Sequence, residues 1–402
     1  MALVVSFGLV QGGPLARIFF CFALALLALG APSRSQAQSP EGSLERKIDA
    51  LFSTVTSPDA PGLAVLVCQN GKTVFESGYG VRDLRAKSRI DAQTSFRLAS
   101  FTKQFTAMAI MLLVHDGRLR YNETLPEILA DFPGYGKSIT VRDLLNHVSG
   151  LPDYEDLMER AEKANGPLWS PEKQIQDTEV LELLKKEKAG KFAPGTSWSY
   201  SNSGYVVLGL IVGKASGKPY GQFLRERIFA PLKMDHTIVY QKGVNEVSNR
   251  ALGHSRENDS LKETDQSATS ATLGDGGIYS NLEDLAKWDD ALRNHSLLNE
   301  KEMQPALTPV KLKDGSEPHW PTEANDDNLH PGKPVSYGFG WFLDPYNAHR
   351  RMWHTGSTMG FRTVIERFLD DHLTVIILSN RVDLDPEKFS LQVADMSLFT
   401  GK

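Results

Sequence analysis

The chain reads as an α+β fold: an antiparallel sheet built from both chain termini, flanked by helices, with a mainly helical insertion between the two halves. Strand pairs separated by turn residues occur near both ends, over residues 62–75 and 363–379. Helix-type or irregular segments fill most of the stretch between them. No period of roughly 20 to 50 residues repeats, which excludes a solenoid.

The elements follow in order. Leu44 to Thr56 has the apolar spacing of an amphipathic helix. Gly62 to Val67 is a short apolar run, Asn70-Gly71 follows Cys68 by two residues, and Thr73-Val74-Phe75 resumes a strand pattern. Asn-Gly between two such runs predicts a tight hairpin. Gln104 to Leu113 contains strong helix formers and no Gly or Pro, so a helix begins near Ser100. Thr140 is a candidate N-cap for a helix over Val141 to His147, and Ser203 to Val212 is an apolar helical run. Leu282 to Leu292 carries Glu283 and Asp284 in its first turn, where a helix dipole favours acids. Thr363 to Phe368 and Leu373 to Ser379 flank Leu369-Asp370-Asp371-His372 as a second hairpin, and Leu391 to Leu398 reads as a closing helix. Two polar stretches, Gln241 to Thr272 and Pro309 to Pro334, read as solvated excursions, with functional lids or disordered loops as the alternatives.

Residues 1–37 read as a signal peptide. Arg17 precedes an apolar run, Ile18 to Leu29, that is short for a membrane span. Ser35-Gln36-Ala37 offers small residues for cleavage after Ala37; an uncleaved anchor is the alternative. Residues 38–402 then form the functional domain, with an α/β part at about 38–120 and 270–402 and a helical part at about 121–269. Cleavage leaves Cys68 as the single cysteine, which can make no internal disulfide and falls in an apolar strand pattern, so a buried structural thiol is expected. The chain has 402 residues and a net charge of −5, which gives no reason to expect a nucleic-acid partner. No zinc-type Cys/His spacing and no His-Glu-x-x-His occur, so no metal or cofactor is expected.

The chemistry starts at Ser100-Phe101-Thr102-Lys103. On a helix, residues three apart share a face, which sets an amine beside a hydroxyl near the positive end of the dipole. A desolvated lysine can relay the hydroxyl proton and so make serine a nucleophile. The motif is short, and a second copy, Ser170-Pro171-Glu172-Lys173, reads as an N-cap with proline at the first helical position. Tyr200-Ser201-Asn202 follows the first copy, and His354-Thr355-Gly356 comes later still.

This ordered set resembles the serine β-lactamase and penicillin-binding superfamily, in its class C β-lactamase and DD-carboxypeptidase branch. The likeness extends through Phe192 to Tyr205, His147-Val148-Ser149-Gly150-Leu151 and Tyr337-Gly338-Phe339-Gly340-Trp341, from about Leu44 to Ser379. A second Tyr-x-Asn, Tyr279-Ser280-Asn281, follows Gly276-Gly277-Ile278 and resembles a structural segment of the family. The resemblance implies a β-lactamase/transpeptidase-like fold and a serine hydrolase, which the signal peptide would make exported, periplasmic or secreted. Ser100 would form the acyl-enzyme, with Lys103 and Tyr200 exchanging its proton; which of the two acts first stays open. Backbone N–H groups of Ser100 and Ser357 would form the oxyanion hole. Asn202 would bind the substrate amide and hold Lys103, while His354, Thr355 and Gly356 would line the substrate strand. Thr355 would bind a substrate carboxylate, with Arg362 as a possible addition.

His354 stands where class C β-lactamases usually have lysine. A histidine only partly charged near neutral pH gives a weaker, pH-dependent pull on a carboxylate, which argues against efficient β-lactam turnover. The expected substrate is a small molecule or a peptidoglycan-type peptide, above all a D-alanyl peptide, with penicillins acylating the serine. No stable membrane insertion is expected after cleavage. A carboxylesterase on the same scaffold is the alternative enzyme. A non-catalytic penicillin sensor or peptide-binding module is the alternative outside enzymes. The α/β-hydrolase route is disfavoured, since no Gly-x-Ser-x-Gly occurs.

Overall fold

Strand β1 (Leu63–Gln69) is apolar from Leu63 to Cys68, the pattern of a strand buried on both faces. It pairs antiparallel with β2 (Lys72–Tyr79) through a turn in which Asn70 and Gly71 both take positive φ, as a tight hairpin requires. The computed structural model describes residues 40–323 and 330–399; the predicted signal peptide, residues 1–37, lies outside them. Short strand β3 (Phe96–Arg97) pairs with β7 (Ile278–Ser280), which also takes β4 (Ile238–Val239). Strands β5 (His254–Glu257) and β6 (Ser260–Glu263) make a small hairpin. Strands β8 (Arg351–Thr358), β9 (Phe361–Phe368) and β10 (Leu373–Ser379) complete a five-stranded antiparallel sheet in the order β2-β1-β10-β9-β8. The chain ends therefore meet through the β1–β10 ladder, in which Leu63 faces Ser379 and Gln69 faces Leu373.

The helices are α1 (Pro40–Val55), α2 (Lys103–His115), α3 (Leu125–Ile128), α4 (Val141–Leu145), α5 (Tyr154–Asn165), α6 (Asp177–Lys185), α7 (Asn202–Ser216), α8 (Tyr220–Leu224), α9 (Leu282–Arg293), α10 (Glu300–Met303) and α11 (Pro386–Leu398). Helices α1 and α11 cover one sheet face, where Ile48, Phe52 and Val393 pack on Leu63, Val65, Val375 and Ile377. The alternate side chains Ala64, Leu66, Ile365 and Ile376 join the larger core that holds α2, α7 and α9. Cys68 sits in that core as a free thiol, and burial pushes it up to about 12, the inert structural role expected of it. Among the described residues, no helix is long and apolar enough to cross a membrane.

Helix α4 stops two residues earlier than the sequence suggests. Its Thr140 capping box forms as expected, but His147 takes φ +60° and turns the chain out of the helix. Helix α11 begins five residues earlier, since Asp385 caps the Lys388 N–H and Pro386 sits in the first turn, where a proline costs no hydrogen bond. The 241–272 stretch is no plain excursion, because it forms the β5–β6 hairpin and buries His254 against Asn380. The described part of 309–334 buries Trp320, which packs on Trp198 with ring centroids 4.7 Å apart.

Candidate active site

Ser100 lies in a single 3-10 turn, Ala99–Thr102, that runs directly into α2. The residue before it, Ala99, holds φ +51°, an uncommon state for a side chain with a Cβ and a typical mark of an imposed functional turn. The N-cap position of α2 falls to Thr102, whose hydroxyl accepts the Ile278 N–H (3.3 Å). The Ser100 hydroxyl is therefore not the cap. It meets Lys103 Nζ at 2.9 Å.

Lys103 is fully buried. Besides Ser100 Oγ, its Nζ reaches Asn202 Oδ1 at 2.8 Å and the Asp275 carbonyl at 3.2 Å. Two of these partners are pure acceptors, and only the serine hydroxyl can also donate. The arrangement thus lets a proton pass between Oγ and Nζ in either direction.

The start of α7 brings in Asn202. Ser201 is the N-cap and accepts the Gly204 N–H (3.0 Å), which leaves Asn202, the first helical residue, to direct its amide oxygen at the lysine. Tyr200 precedes the cap, and its ring centroid is 4.8 Å from Nζ. Its ring packs on that of His147, 4.4 Å between centroids. His147 Nδ1 accepts the Ser201 N–H at 3.1 Å, so the histidine fixes the cap from behind. Burial, then the Lys103 charge, pushes His147 well below the ordinary histidine range.

Edge strand β8 supplies the remaining residues. His354 is buried; its Nδ1 donates to the Thr355 carbonyl (2.6 Å) and its Nε2 accepts from the Tyr337 hydroxyl (3.2 Å). Burial first, and Lys103 second, push its pKa down to about 3. This corrects the expectation of a partly charged histidine pulling on a carboxylate: at neutral pH His354 is uncharged and both ring nitrogens are engaged. The glycine at 356 has a packing reason. A Cβ there would collide with the Leu98 carbonyl and Thr363 Oγ1, so glycine lets the strand lie against the serine turn. Thr363 Oγ1 donates to the same Leu98 carbonyl (2.8 Å). Thr355 is half-buried, and Ser357 is exposed on the strand just beyond that contact. Arg362 Nη1 donates to the Thr358 and Phe361 carbonyls, at 3.0 and 2.9 Å, and braces the β8–β9 turn.

The family model described as Beta-lactamase matches residues 45–396. The chain belongs to the β-lactamase family. Penicillin-binding protein 4* of Bacillus subtilis is 31% identical over 368 residues, 88% of this chain and 76% of that protein. D-aminopeptidase of Brucella ovis is 27% identical over 322 residues, 80% of this chain and 56% of that one. The D-amino acid amidase of Ochrobactrum anthropi, solved with L-phenylalanine amide, superposes with a TM-score of 0.71 at 26% identity, covering 89% of this chain and 98% of that chain. This member of the β-lactamase family is a serine hydrolase, and its fold is the β-lactamase/transpeptidase fold foreseen from the sequence.

Several residues of this β-lactamase-family site carried no readable chemistry in the sequence. His147 and Tyr337 stood in recognisable segments without assigned roles, and Asp275 stood in none. Tyr337 is fully buried, and burial raises its hydroxyl far above the ordinary range, so it remains a donor to His354. A histidine ending a capped helix was the available hint for His147; nothing local marks Asp275.

Proposed function

We propose that this chain is an exported acyl-enzyme hydrolase of short amide bonds of the D-alanyl-peptide type, and that penicillins acylate it. The observation that carries the reading is the 2.9 Å contact between Ser100 Oγ and a buried Lys103 Nζ that is also anchored by Asn202 and Asp275. Oγ bonds to the substrate carbonyl carbon while its proton passes through the Lys103–Tyr200 pair to the leaving amine. The C–N bond then breaks. Water reverses the sequence, releasing the acid and returning the proton to Oγ. N–H groups of Ser100 and Ser357 take the developing oxyanion; one such donor is typically worth about 3 kcal/mol of transition-state stabilisation.

Uncharged His354 favours a second reading on the same centre: substrates without a carboxylate, such as D-amino acid amides or simple esters. The similarity to an amidase and an aminopeptidase supports it. Intact-mass spectrometry after mixing with penicillin, a D-Ala-D-Ala peptide, its C-terminal amide and a short-chain ester tests both. An adduct lost in Ser100→Ala is expected. Preference for the free peptide over its amide supports the first reading, and the reverse supports the second. Absence of any adduct or turnover sinks both.

A further inference from the structure

A buried acid pair lies behind the catalytic lysine, and no step of the mechanism uses it. The loop that carries Asp275 is wedged between α2 and α7. Gly274 packs directly on Gly209, and its carbonyl accepts from Thr106 Oγ1 (2.6 Å), which in turn takes the Tyr220 hydroxyl (2.6 Å). Asp275 gives its main-chain oxygen to Lys103 Nζ. Its side chain is more than nine-tenths buried; Oδ2 accepts from Tyr154 at 3.4 Å, and Oδ1 has no hydrogen-bond donor. Asp177, at the first position of α6, reaches the same loop and accepts the Leu273 N–H at 3.0 Å.

A buried carboxyl group with an unsatisfied oxygen is costly unless a cation compensates it. The other titratable and charged groups around the loop are Tyr154 on α5, Tyr220 on α8 and Arg97 on β3. Arg97 donates to the Gly276 and Ser270 carbonyls through Nε and Nη2, while its buried Nη1 has no hydrogen-bond partner. Around Nζ stand Tyr200, Tyr205, His147 and His354. Both histidines are uncharged at neutral pH, so they offer the acid pair no positive charge. We propose that Asp275, with Asp177 beside it, is a positioning residue that holds the resting proton on Lys103, its carbonyl orienting Nζ and its carboxyl group supplying the counter-charge. Burial, with Asp275's negative charge adding to it, raises Asp177 to about 8. Asp177 is therefore largely protonated at neutral pH and ionised above about 8.

This rests on the acyl-enzyme reading for its catalytic meaning, but it can be read without turnover. Protein labelled with 13C at lysine Cε reports Lys103 protonation by NMR, with Lys103→Arg assigning the signal. In the wild type the signal is that of an ammonium at pH 9. Asp275→Asn keeps size and the acceptor for Tyr154 while removing the charge. It lowers the Lys103 midpoint by at least about one pH unit, since a charge on the residue whose carbonyl already touches Nζ couples that strongly even at an effective dielectric near 20. The limb of the penicillin-acylation pH profile that reports Lys103 moves down with it, and Asp275→Glu restores both. Asp177→Asn, read above pH 8 where Asp177 is ionised, lowers the midpoint by less, and it carries the test alone if Asp275→Asn does not fold. A Lys103 signal unmoved in the folded variants overturns the proposal. A moved signal without Ser100 acylation overturns the hydrolase reading and leaves the charge coupling standing.

Discussion

Two motifs occur twice in this chain, and each pair separates a reactive copy from an inert one. Ser100 lies in a short turn and Lys103 is the first residue of the long helix it runs into, with the lysine fully buried. Ser170 and Lys173 have the same spacing on the surface. There Ser170 Oγ accepts the Glu172 and Lys173 N–H groups at 3.2 Å each and donates to the Glu172 carboxylate at 2.9 Å. It behaves as a cap, but no helix follows; α6 starts only at Asp177, which corrects the expected helix start. The tyrosine motifs differ by one residue of capping register. In Tyr200-Ser201-Asn202 the serine caps α7 and the asparagine is left for Lys103. In Tyr279-Ser280-Asn281 the asparagine itself caps α9, accepting the Asp284 N–H at 2.9 Å, and Tyr279 is fully buried. Spacing offers the chemistry, and the choice of which hydroxyl or amide caps the helix decides where it is used.

The comparison can be broken most directly at the serines. Ser100→Ala is expected to abolish labelling by fluorescent penicillin or fluorophosphonate, whereas Ser170→Ala leaves it unchanged; labelling that survives in the first variant refutes the assignment. Lys103→Ala should slow acylation by about 10²–10⁴-fold, the usual range for losing a proton-transfer group. Stopped-flow acylation rates check this, with Lys173→Ala at the wild-type value. Burial around the reactive copy also has a signature in stability. His354 falls from the ordinary 6.5 to about 3, so between these values the unfolded chain binds the extra proton. Its contribution is whole above 6.5 and is lost as pH drops towards 3, by about 2 kcal/mol at pH 5. Urea unfolding at pH 7 and pH 5 should show this loss in the wild type and a smaller one in His354→Asn; equal losses would show that His354 is charged in the fold. The smallest effects separate the asparagines. Asn202→Ala should cut kcat/KM by about tenfold to a hundredfold with little change in melting temperature. Asn281→Ala should cost about 1 kcal/mol of stability and leave kcat/KM per folded molecule intact. A reversed pattern would exchange their roles.

Both hairpins were legible because each has a local cause, Asn70-Gly71 at one end and the acidic turn before His372 at the other. Helices α2 and α7 were legible from apolar helical runs, and α9 from the acids in its first turn. Ser100, Lys103, Tyr200 and Asn202 could be named from motif order, and the fold brings their side chains together. The charge state of His354 was not legible, because it depends on burial and on Lys103, which is 251 positions away in the chain. The reason for Gly356 was equally hidden, since the colliding atoms belong to Leu98 and Thr363.

The amino-acid order by itself determined the periodicities, the turns and the list of reactive side chains, because these depend on neighbours within a few residues. Only the tertiary structure decided which serine meets its lysine, which asparagine is spent on a cap, and that both histidines of the site are uncharged. Those outcomes depend on water being excluded and on groups arriving from distant strands and helices, and desolvation and Coulomb terms exist only once that packing has formed.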